Sequence, residues 1–195
     1  WIGKSYGTEI IFEINNKGWP IFTTRSDTIY GVTFMVVSAQ HPRLMELVTK
    51  EQKKQVEKFL KKIKSVSQKT INARKSKISG ATKSGTQDFV GEVEELDKEG
   101  VFTGSYAVNP ITKEKVPVYA GNFVVADYGS GMVMAVPGHD QRDFEFAKKY
   151  KIKIKQVISG EITETRAYTG EGKLINSDKF NGINSKEAIE KITDY

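Results

Sequence analysis

The sequence predicts an α+β domain built on a strongly curved or closed β-sheet. Three observations carry this: short β-type runs punctuated by Gly, Asn and Pro, helical periodicity confined to the connections, and a composition of 38% hydrophobic and 28% charged residues. That balance is typical of soluble globular chains. At 195 residues the chain is long enough for one domain with a real core, and neither an internal repeat nor a linker divides it.

Taken in order, EIIFEI at Glu9–Ile14 alternates, NNKG at Asn15–Gly18 signals a turn, and WPIFTT follows as a partner strand, which together make a hairpin. After a Thr-rich loop, residues 32–38 form a continuous apolar run of the length of a strand buried on both faces. His41-Pro42 opens a helical stretch. Val56, Phe59, Leu60 and Ile63 then fall at i, i+3, i+4 and i+7 with lysines between them, predicting an amphipathic helix. Residues 65–85 are polar and read as a mobile excursion. Strand signals resume with VFTGSYAV (Val101–Val108), VPVYA, NFVVA and MVMAVP. A helix over Asp140–Tyr150 follows, then short strands within Ile152–Ile158 and Arg166–Ile175. The last helix, Lys186–Ile192, has Asn184 as cap and Glu187 three residues on, a capping-box arrangement.

Composition excludes several classes of function. Cysteine is absent, which removes disulfides, a thiolate nucleophile and Cys-ligated zinc. No apolar run reaches the ~20 residues that cross a bilayer, and the start is unlike a signal peptide, so a cytoplasmic, membrane-free protein is expected. The first residue is Trp rather than Met, which reads as a piece of a longer chain. The phosphate-binding patterns GxxxxGK[ST] and GxGxxG are missing, against nucleotide triphosphate or dinucleotide binding. The net charge of +6 is regional: Lys50–Gly85 carries 12 basic and 2 acidic residues, and the remainder 18 basic and 22 acidic. Such a segment attracts a phosphate backbone, or serves only as a solvated lysine-rich helix.

Two stretches carry candidate chemistry. TTRSDTIYG at Thr23–Gly31 gathers Thr23, Thr24, Ser26 and Thr28 around Arg25 and Asp27. Its hydroxyls suit a water or a ribose, and its β-methyls make stiff walls; a Thr-rich edge with Asp27 as a cap is the structural alternative. AVPGHDQRDFEFAKKY at Ala135–Tyr150 places Asp140 and Asp143 three apart at a helix start. They share a face, and the helix dipole favours their ionised forms. The pair suits a protonated amine, although capping alone accounts for GHD before an amphipathic helix. His139 is open to three roles, as general base, metal ligand or orienting hydrogen bonder, and no second histidine lies near enough in sequence to complete a zinc set.

In order and spacing these segments resemble the editing domain of the leucyl-tRNA synthetases over nearly the whole chain. The likeness runs from the opening WIGKS through TTRSDT, GVFTGSYAVNP and VVADYGSGMVMAVPGHDQRDFEFA to RAYTGEGKLINSDKFNG. The synthetic signature HIGH is missing, and Lys75-Ser76-Lys77 is no KMSKS. The chain is therefore similar to the excised insertion, residues 1–195 as one editing domain of the compact bacterial or organellar type. The resemblance implies a closed β-barrel with peripheral helices, the fold shared by the valyl, isoleucyl and leucyl editing domains. It implies hydrolysis of tRNA(Leu) mischarged with isoleucine, valine, methionine or norvaline, while leucyl-tRNA is spared. A second sieve of this kind is needed because one methylene is worth only ~1–3 kcal/mol to a synthetic site.

By the resemblance, Thr28 crowds the γ-branched leucine side chain and Asp143 anchors the α-ammonium, with Asp140 in the same pocket. Thr23, Thr24 and Arg25 line the wall for the water and the terminal adenosine, and Tyr128, Met134, Val136 and His139 frame the rest. The catalytic candidates are thus Thr23, Thr24, Asp140 and Asp143, and the substrate-binding candidates Arg25, Thr28, Tyr30, Tyr128, Met134, Val136 and His139. No metal and no cofactor are expected in this domain; ATP and Mg belong to the missing synthetic domain. The implied partners are the 3′ adenosine of tRNA(Leu) and the rest of the synthetase, with the domain itself monomeric. The family more commonly has Pro where Ser26 stands, implying a looser loop here. The competing readings are a non-catalytic RNA-binding barrel, a metal-dependent hydrolase using His139, Asp140 and Asp143, and an isoleucyl or valyl editing domain.

Overall fold

The computed structural model describes residues 7–65, 98–126 and 129–195. Six strands form one sheet: β1 (Thr8–Ile14), β2 (Lys17–Thr23), β3 (Phe34–Ser38), β4 (Gly100–Val108), β5 (Lys115–Gly121) and β6 (Met132–Ala135), in the order β2-β1-β4-β5-β3-β6. Only β3 and β5 run parallel among these neighbours. The helices are α1 (residues 53–65), α2 (Gln141–Tyr150) and α3 (Ser185–Thr193).

The β1–β2 hairpin forms as its sequence predicts, because Asn15 and Asn16 both adopt positive φ (52° and 61°), the backbone of a tight turn matching strand twist. β3 is apolar throughout because both of its faces are covered. Met35 and Val37 join the main core with Phe12, Ile14, Ile21 and Val118, while Phe34 and Val36 join a second cluster closed by Phe146 and Ala147 of α2. β4 breaks register between Phe102 and Tyr106. Gly104 sits there at φ 91°, and a Cβ would collide with the Thr49 side chain, so the irregularity requires glycine.

Several expectations are corrected. The sheet is not closed by hydrogen bonds: β2 and β6 approach each other but form no ladder. β6 is four residues long, and β2 carries Pro20, which lacks an N–H and suits an edge. NFVVA is not a strand. After Gly121 the Asn122 side chain accepts from Glu99 N–H at 2.9 Å, and the chain turns out of the sheet. Residues 152–158 and 166–175 supply only isolated bridges, since the N–H groups of Val157 and Ile158 go to the His139 ring rather than to a ladder. After His41-Pro42 stands only a short 3-10 turn, Leu44–Leu47. Asn184 does cap α3, accepting from Lys186 N–H at 3.0 Å, but Glu187 pairs with Lys191. The WIGKS segment and the expected excursion beyond residue 65 lie outside the described residues.

Candidate active site

The hydroxyl-rich loop leaves β2 at Thr23 and winds into a 3-10 turn over Ser26–Gly31 that is buried throughout. Several of its polar side chains hold that shape, while Thr23, Thr24 and Arg25 also line a cleft. Thr23 Oγ1 accepts from Arg25 N–H at 3.0 Å, and the Arg25 guanidinium donates twice to Asp27, at 2.9 and 3.0 Å. This two-pronged pair compensates an Asp27 that is fully buried. Ser26 donates to the Ile189 carbonyl of α3 at 2.9 Å. This bond ties the loop to α3 at the position where the sequence implied a looser loop.

Opposite stands the start of α2. Asp140 caps it, accepting from the N–H groups of Arg142 (2.8 Å) and Asp143 (3.3 Å), and ion-pairs with the Arg142 side chain. Burial opposes its ionisation, but Arg142 and those N–H groups outweigh that and hold the carboxyl below its ordinary range. Asp143, one turn on, is almost buried and accepts from Val136 N–H at 2.8 Å. Burial, then the charge on Asp140, push its carboxyl up to about 7 against the opposing Val136 bond, Arg142 and Lys98. Two adjacent carboxylates thus titrate far apart, as in sites where environment divides the roles.

Loop and helix meet across one cleft of about 610 Å³, lined on one side by Thr23, Thr24 and Arg25, on the other by Asp140 and Asp143, and between them by Met134 and Val136. That volume suits a small-molecule or nucleoside ligand. An apolar lip of Phe123, Val124 and Val125 completes it. Sequence reasoning missed this lip because it reads as a strand; the sole hint was an apolar run ending at the glycine-rich DYGSG.

Thr28, Tyr30 and His139 do not line this cleft. Thr28 is fully buried and donates to the Arg25 carbonyl at 2.8 Å, one layer behind the wall rather than on it. Tyr30 is also buried, its ring 6.1 Å from Phe180. His139 is a cross-link: Nε2 accepts from the N–H groups of Val157 (2.9 Å) and Ile158 (3.1 Å), which leaves Nδ1 to donate to the Tyr168 carbonyl at 2.9 Å. Both ring nitrogens are thereby occupied, and burial lowers its pKa. This is the arrangement of an orienting hydrogen bonder, one of the three roles open to it from the sequence. Tyr128 lies outside the described residues.

The model of the "Leucyl-tRNA synthetase, editing domain" family matches residues 1–88 and 84–195. The chain belongs to this family. Leucine--tRNA ligases of Brachyspira hyodysenteriae and Fervidobacterium nodosum are 46% and 45% identical over all of it, and the chain spans only 21% and 22% of their lengths. A solved LeuRS–tRNA–LeuAMS ternary complex from Agrobacterium radiobacter is 27% identical, with a TM-score of 0.56 over 87% of this chain and 18% of that one. An editing domain of a leucine--tRNA ligase thus places its hydroxyl loop and acidic helix start on a common cleft. Among its described residues no helix is long and apolar enough to cross a membrane.

Proposed function

We propose that this domain hydrolyses the ester joining a noncognate aliphatic amino acid (isoleucine, valine, methionine or norvaline) to the 3′-terminal adenosine of tRNA(Leu). One observation carries the reading: a nearly buried carboxyl, Asp143, faces the same cleft as the hydroxyl-lined wall of Thr23, Thr24 and Arg25. An α-ammonium against Asp143 recovers the charge interaction that burial denies the carboxylate. Met134 and Val136 contact the aliphatic side chain, and the hydroxyl wall orients the ribose and a water. That water attacks the ester carbonyl carbon, the acyl–oxygen bond breaks, and the ribose oxygen takes the proton, releasing free amino acid and intact tRNA. Catalysis comes from positioning and from stabilisation of the developing oxyanion by Arg25 and the hydroxyls. No cofactor is required.

Discrimination against leucine then works through Thr28 in the second layer. By holding the Arg25 carbonyl, Thr28 sets how far the wall advances into the cleft. A deacylation panel with isoleucyl-, norvalyl- and leucyl-tRNA tests both statements. The first two are hydrolysed and the third spared by the native chain, and Thr28→Ala begins to hydrolyse leucyl-tRNA. Inertness toward all three esters overturns the catalytic reading, and a Thr28→Ala variant that still spares leucyl-tRNA removes Thr28 from specificity.

A further inference from the structure

Beyond the cleft, α2 has a second end with a different chemistry. Its last turn carries Lys148 and Lys149, Lys151 terminates it, and an extended segment follows with Lys153. Lys148, Lys149, Lys151 and Lys153 are all exposed, while Ile152 and Ile154 turn inward onto the second core cluster. The alternation therefore sorts lysine to solvent and isoleucine to protein. Nearby carboxylates do not offset this ridge: Glu145 pairs with Lys98 at 2.7 Å, Glu114 with Lys155 at 3.5 Å and Glu99 with Lys62 at 2.6 Å.

Lysines in a final helical turn complement the helix dipole, which accounts for Lys148 and Lys149 but not for the two beyond. Lys151 stands at φ 55°, the left-handed C-terminal position where glycine is favoured and any Cβ is disfavoured. A cationic side chain occupies a site that backbone preference alone would give to glycine. Lys149 Nζ also donates to the Lys98 carbonyl at 3.2 Å, joining the ridge to the Lys98–Glu99 segment and, through Glu99, to Lys62 of α1.

We infer that the Lys148–Lys153 ridge binds the phosphate backbone of a single-stranded RNA tail whose terminal nucleoside occupies the cleft. This rests on the function proposed above and assigns the domain a second contact with the same substrate. The geometry is that of one helix read at both ends: Asp140 and Asp143 face the cleft at its start, and the lysines cluster at its finish, about 15 Å away for ten residues. That span corresponds to a few nucleotides of extended strand. RNA is favoured over an acidic protein face because the exposed lysines recur along the end of the helix and the extended segment after it, and because the start of the same helix lines the cleft.

The test is binding of a fluorescent RNA hairpin with a single-stranded 3′ tail to the full chain across a salt series, alongside hydrolysis of 3′-O-isoleucyl-adenosine. The variant is Lys148→Ala, Lys151→Gly and Lys153→Ala combined, with Gly at 151 chosen to suit its backbone. Lys115→Ala, Lys173→Ala and Lys186→Ala combined form the charge-matched control. Loss of three phosphate contacts lowers the salt slope by about 2 and the affinity by about tenfold or more at low salt. The control keeps the native slope, and hydrolysis of the small ester is unchanged in the ridge variant. RNA affinity equal to the control's overturns the ridge and reassigns it to an acidic protein surface, and so does absence of RNA binding by the native chain. If instead the native chain leaves the ester intact while its RNA binding depends on the ridge, the catalytic reading fails and the ridge stands.

Discussion

Burial and the neighbouring Asp140 charge raise the Asp143 carboxyl to about 7, against an ordinary value near 4. A carboxyl raised on folding contributes stability that is complete below its unfolded pKa and lost as pH rises through the folded one. Asp143→Asn keeps an acceptor for Val136 N–H and removes that dependence. Its melting temperature should exceed the native one by several degrees at pH 8, roughly 2–4 °C per kcal/mol regained, with the gap shrinking toward pH 4. Activity should move the other way. Anchoring an ammonium needs the ionised form, so native deacylation declines below about pH 7 and the variant is nearly inactive throughout. A variant that melts earlier than the native chain at pH 8 would show that the buried carboxylate carries no penalty.

Helix α2 owes its start to Asp140, whose Oδ1 accepts from two N–H groups of the first turn. Asp140→Ala should lower stability by ~1 kcal/mol, read by chemical denaturation. It should also reduce activity, because the same turn aims Asp143. Of the two uses of Asp140 open from the sequence, capping is the one its hydrogen bonds display. This element was legible because its signals are local: an acidic cap, then Phe144, Phe146 and Ala147 buried at helical spacing. The β1–β2 hairpin and β3 were legible for the same reason. The lip of Phe123, Val124 and Val125 was not, since its apolar run is identical to a strand's until Asn122 pairs with Glu99. The second-layer position of Thr28 was likewise hidden, because a hydroxyl bonded to the Arg25 carbonyl depends on the turn's backbone rather than on residue spacing. His139 gave no sign that both its nitrogens meet main-chain groups.

Across the described residues, apolar clusters cover both faces of β3, and Phe146 links the site helix to the second of them. Its ring stacks on Phe34 at 5.2 Å and on Tyr150 at 4.3 Å, and it is fully buried. Phe146→Ala should cost ~3–5 kcal/mol and lower the melting temperature accordingly, with activity per folded molecule falling as α2 loosens. The open seam between β2 and β6 lies beside the cleft, since Thr23 ends one strand and Met134 belongs to the other. Side chains from both edges line the cleft there, Thr23 from one and Met134 from the other.

The hydroxyl wall and the acidic turn come from stretches more than a hundred positions apart in the chain, and no short fragment contains both. Heat or denaturant should therefore extinguish turnover in step with loss of the native population, making the hydrolysis rate a direct readout of how many molecules remain intact.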